Sequence, residues 1–125
     1  SAKSLATSST EREALLEKAQ SLIGTLRREV EPFLNARREL TEEQRKPLSE
    51  RQIEQIVHGL RMAEPTTRRK LNQWLDQLEV AIHAIFRLRP MADSSHPDYE
   101  SALAGIREPL AQLRSTVGFG TELLG

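Results

Sequence analysis

Leu71-Asn72-Gln73-Trp74-Leu75-Asp76-Gln77-Leu78-Glu79-Val80-Ala81-Ile82-His83-Ala84-Ile85 is the stretch whose reading decides the fold. Its apolar side chains at Leu71, Leu75, Leu78, Ile82 and Ile85 recur at steps of four, three, four and three. That is the period of one face of an α-helix and not of a strand. Trp74, Ala81 and Leu88 widen the face, so this helix is expected at the centre of an all-α fold. Glu64-Pro65-Thr66-Thr67 before it reads as a connector with a ready N-cap, and Pro90 sets its end.

Upstream, Ser49 and Gln52 stand at capping-box spacing and open a short helix with Ile53, Ile56, Val57 and Leu60 inward, stopping near Met62. The element before it closes at Lys46-Pro47. There Leu16, Ala19, Ile23, Leu26, Val30, Phe33 and Leu40 form one stripe, with Arg37 its single charged slot, and Thr10 with Glu13 predicts a capping box at its start. Pro32 removes a hydrogen bond and crowds the carbonyl of Arg28. Because the stripe keeps its phase through Phe33, a kink is expected there rather than a loop.

Downstream, Pro90 to Pro97 reads as the longest loop. A fourth helix then carries Tyr99, Leu103, Ile106, Leu110, Leu113 and Val117, with Gly118-Phe119-Gly120 expected to end it. The echo between Glu31–Arg37 and Glu108–Arg114 is read as coincidence, because a duplication of helix pairs requires the second and third helices to match, and they do not.

These signals divide the chain into a disordered leader at 1–9, a helical bundle domain at 10–117 and a C-terminal tail at 118–125. Short connections favour antiparallel neighbours, so the expected architecture is an up-down-up-down four-helix bundle with a long, Pro-kinked first helix. The lengths do not match: by helix rise the first helix spans about 50 Å and the second about 20 Å. Leu16, Ile23 and Leu26 are therefore expected to be left for self-association, a two-fold homodimer being the simplest assembly.

Composition narrows the function. The 125 residues are 38% hydrophobic and only 4% aromatic, enough apolar content for one packed core. Eighteen basic and eighteen acidic side chains cancel, so no global field draws the molecule to nucleic acid or an anionic membrane. There is no cysteine, hence no disulfide, thiolate nucleophile or thiolate metal site. No apolar run reaches membrane-span length and no signal-peptide pattern opens the chain, which makes a cytoplasmic location the default expectation.

No glycine-rich phosphate loop and no nucleophile elbow is present, so the expected class is non-enzymatic, without a cofactor. Glu54 with His58 and Glu79 with His83 put a carboxylate and an imidazole on one face of each of two helices, but folding these helices back at Pro65 leaves about 16 Å of axial mismatch between the pairs. They read as surface pairs, and His96 as a solvated or capping residue. Arg68-Arg69-Lys70 runs against local physics, because cations in the first turn of a helix oppose its macrodipole. With Arg61 across the turn, this cluster is the candidate anion or nucleic-acid site, unless Glu64 and neighbouring helices neutralise it. The primary expectation is a small helical protein-protein interaction or regulatory protein. The alternative is a DNA-binding accessory protein that uses residues 49–79 as a helix-turn-helix-like segment.

Overall fold

The computed structural model describes the backbone of residues 2–91 and 97–124, and the side chains of residues 10–90 and 97–124. Every regular element among them is helical: α1 (Ala2–Thr25), a π-helical turn (Leu26–Val30), α2 (Glu31–Asn35), α3 (Glu42–Arg45), α4 (Glu50–Arg61), α5 (Arg68–Phe86) and α6 (Tyr99–Leu124). Single 3₁₀ turns lie at Pro65–Thr67 and Arg89–Met91. Among the described residues no helix is long and apolar enough to cross a membrane. His96 lies outside the described residues.

The kink expected at Pro32 takes the form of the π turn. The backbone N–H of Glu31 donates to the carbonyl of Leu26, five residues back, so the wider turn falls where the proline ring would crowd Arg28. Pro32 itself sits in the first turn of α2, where an N–H is not needed. The π turn also sets the packing. The buried side chains Leu15, Ala19, Leu22, Leu26, Val30 and Leu34 advance by four, three, four, four and four. Three successive fours would drift off one face of a regular α-helix, and the extra residue of the π turn restores the phase. The seam coincides with the predicted stripe at Ala19, Leu26, Val30 and Leu40 and departs from it by one residue elsewhere, Leu15, Leu22 and Leu34 being buried while Leu16, Ile23 and Phe33 are partly buried beside them.

Helix α2 stops at Asn35 instead of running to Leu40. Arg45 reaches back from α3 to the turn, its Nε donating to the carbonyl of Arg37 at 3.1 Å and its Nη2 to that of Arg38 at 3.0 Å. Leu40 turns inward and α3 is separately capped by a Thr41–Gln44 capping box. The Ser49–Gln52 capping box opens α4 as expected. The one expected at Thr10 does not form, because α1 already runs from Ala2. Residues 2–9 hold no glycine or proline, and extending a nucleated helix costs little.

Helix α6 passes straight through Gly118-Phe119-Gly120 to Leu124. The inward spacing Leu103, Ile106, Leu110, Leu113 and Val117 continues to Gly120 and Leu124, and the indole of Trp74 lies where a side chain at Gly120 would be. Trp74 Nε1 donates to the carbonyl of Thr116 at 2.6 Å. Pro109 is accommodated inside α6, and the residue whose carbonyl its ring meets is Gly105.

α1 packs on α4 and α5, and α6 packs on the same two helices. Glu11 with Arg68, Lys18 with Asp76 and Glu29 with Arg89 pair α1 and its extension with α5 in the same direction. Arg12 with the carbonyl of Ala63 and Arg27 with Glu50 pair α1 and α4 in opposite directions. A ring in chain order would place α4 beside α5. Instead these consecutive helices face each other across the core, which Trp74, Leu26, Leu34, Ile56, Leu60, Leu75 and Ile106 fill.

Candidate functional site

The three cations that open α5 do not share one environment. Arg69 and Lys70 are exposed, as is Arg61. Arg68 is 5% exposed. Its position explains this: counting back from Leu78, Leu75 and Leu71 by the same three-four alternation reaches Arg68, so its side chain points with the apolar seam and not with its basic neighbours. The residue that meets it is Glu11 of α1, which accepts a hydrogen bond from Arg68 Nη1 at 3.1 Å. Glu64, the sequence-adjacent acid expected to neutralise the cluster, is exposed.

One carboxylate oxygen does not satisfy a guanidinium. Arg68 Nε and Nη2 are buried and have no hydrogen-bond partner among the described residues. A buried donor without an acceptor costs about 1 to 3 kcal/mol, and more when charged. Arg68 also borders a cavity of about 480 Å³ between α1 and the start of α5. Lys18, Arg69 and Asn72 stand on its polar side; Ala14, Leu15 and Pro65 form the apolar side. The Pro65–Thr67 turn runs directly into α5, and Thr67 makes no side-chain cap bond, donating its hydroxyl instead to the carbonyl of Glu64 at 2.9 Å.

The remaining sequence candidates separate. Glu54, His58, Glu79 and His83 are all exposed, and among the described residues no group of three or more His, Cys, Asp or Glu converges to hold a metal ion. Of the residues expected to drive self-association, Leu26 is fully buried in the core, while Leu16 and Ile23 pack against it. The first helix is therefore packed within the chain against α4 and α5, and its run from Ala2 through the π turn ends at Asn35 rather than at Leu40. The segment 49–79 does not form a packed helix pair, since α4 and α5 lie across the core from each other. Arg69, Lys70, Asn72 and Gln73 do face solvent.

A second feature was missed by the sequence reading. Met62 is 68% and Phe119 57% exposed. Two hollows meet at Leu123, one of about 330 Å³ with Met62 and Leu124 on its wall, the other of about 160 Å³ with Phe119 and Trp74. Assigning residues 118–125 to a tail hid this ridge, because it exists only when α6 continues through its glycines.

No family model matches the chain, and neither a curated protein nor a solved structure does.

Proposed function

We propose that the protein is a non-enzymatic helical interaction module in a four-helix, up-down-up-down frame, and that it docks a protein partner at the end of α6. The observation that carries this reading is the exposed apolar ridge of Met62 and Phe119 joined through Leu123. Large apolar side chains grouped in this way mark contact sites, whereas the other exposed ones, Val80 and Phe86, border neither hollow. The carboxylates support a scaffold role: Glu29, Glu43, Glu50 and Asp76 are each tied to a cation on a neighbouring element. A second copy of the chain is the simplest occupant, because a two-fold contact uses one ridge twice.

Light scattering coupled to size exclusion, over a range of concentrations, tests this. A mass that rises above the 14.2 kDa chain and returns to it on Phe119→Glu supports the reading. A mass that stays at one chain up to high micromolar concentration refutes self-association. The DNA-binding alternative is separated by a salt titration with duplex DNA, in which binding weakened by Arg69→Gln and Lys70→Gln would favour it.

A further inference from the structure

We propose that the cavity between α1 and the start of α5 is a binding site for a small organic oxyanion, with Arg68 as its receptor and Glu11 as an internal stand-in for the ligand. Three features meet there. Arg68 is 95% buried, with one nitrogen bound to Glu11 and the Nε–Nη2 edge without an acceptor among the described residues. That edge is the fork that a carboxylate or phosphate grips through two parallel hydrogen bonds. With Lys18 paired to Asp76, Arg68 and Arg69 against Glu11 still leave the lining positive, and the N-terminus of α5 adds to the same sign.

The site also has a size and a second wall. About 480 Å³ falls within the range of roughly 300 to 1,000 Å³ usual for small-molecule pockets. Ala14, Leu15 and Pro65 offer the ligand an apolar side opposite the cations. The matching chemistry is an anionic head on a short hydrocarbon body, as in a carboxylic acid or a phosphate ester. Glu11 is 56% exposed and is held at Arg68 by a single hydrogen bond. The fork is buried while Glu11 holds Nη1, so an incoming head group displaces Glu11 and turns the Arg68 side chain to present Nε and Nη2 to the cavity.

The test follows the Arg68 Nε–Hε resonance by nuclear magnetic resonance while the protein is titrated with inorganic phosphate, acetate or hexanoate. The expected result is a saturable shift, with Glu11→Gln binding about tenfold more tightly because the competing carboxylate is gone. Stronger saturation by phosphate assigns a phosphate ester. Hexanoate stronger than acetate assigns a carboxylic acid whose chain uses the apolar wall. Arg68→Lys, checked for folding by circular dichroism, should lose the response, since an ammonium cannot make the fork. If that variant does not fold, the comparison of the unmodified chain with Glu11→Gln still decides. A resonance that fails to saturate with every probe in both proteins overturns the proposal and leaves Glu11–Arg68 as a structural ion pair. Phe119→Glu, which removes the docking ridge, leaves the titration unchanged, so the two readings fail separately.

Discussion

Two glycines two residues apart in α6 have opposite duties. A β-carbon at Gly120 would lie 2.1 Å from Trp74 Cζ2 and 2.2 Å from Cε2, and Trp74, 1% exposed, has nowhere to move. At Gly118 a β-carbon meets nothing within 4 Å. Gly120→Ala is therefore expected to destabilise the fold by at least about 1 to 3 kcal/mol through overpacking. Gly118→Ala should stabilise it by up to about 1 kcal/mol through helix propensity. Urea unfolding of both variants checks this, and equal effects would mean that the indole does not rest on α6. The pattern carried this information only in part: the three-four seam of α6 does run through Gly120, but a glycine reads as a stop when its partner is unknown. Arg68 was hidden for a similar reason. Its chemistry placed it with Arg69 and Lys70, while its phase placed it with Leu71 and Leu75, and phase determined where it points.

The start of α4 behaved more simply, since its cap is a local event. Ser49 accepts from the backbone N–H of Gln52, whose side chain in turn accepts from the backbone N–H of Ser49. Ser49→Ala should cost about 1 kcal/mol. Thermal unfolding checks it, and a change below a few tenths would mean that α4 is held by packing alone. The break between α1 and α2 carries a charge consequence as well. Burial raises the pKa of Glu31 above its ordinary 4.5, against the opposing pull of Arg27 and Lys46 and with a smaller upward push from Glu50. A carboxyl raised on folding binds its proton more tightly in the native state. Its effect on stability is thus most favourable below pH 4.5 and is lost as the pH climbs through the raised value. Glu31→Gln should remove that decline, seen as a stability difference from the unmodified chain that grows between acid and neutral pH. A difference that shrinks over the same interval would contradict the burial argument. The π turn beside Glu31 was not legible as such, since Leu15-Leu16, Leu22-Ile23 and Phe33-Leu34 each offer two adjacent apolar residues and leave the seam undefined by one position.

At the scale of the whole molecule, the sequence specified helices and faces but not neighbours. Amphipathic periodicity says which side of α4 is covered, not whether α5 or α6 covers it, and here the consecutive pair is the one that sits apart. The ion pairs that set α1 and its extension beside α5 join residues 57 to 60 positions apart, such as Arg68 with Glu11 and Arg89 with Glu29. No local rule selects them. The site between α1 and α5 inherits that difficulty, because its two walls belong to the first and second halves of the chain.

The meeting of Trp74 with the last turns of α6 gives the molecule a built-in optical gauge. Trp74 is the only tryptophan of the chain, and its indole is sealed by Gly120 and tied to the carbonyl of Thr116. Its emission therefore reports the undocking of one helix end as well as the melting of the core. On gentle heating the fluorescence maximum should move to longer wavelength before the far-ultraviolet helical signal falls, because the end of a helix opens at lower free energy than the core. Superimposable curves from the two probes would instead mean that the end of α6 comes away only when everything else does.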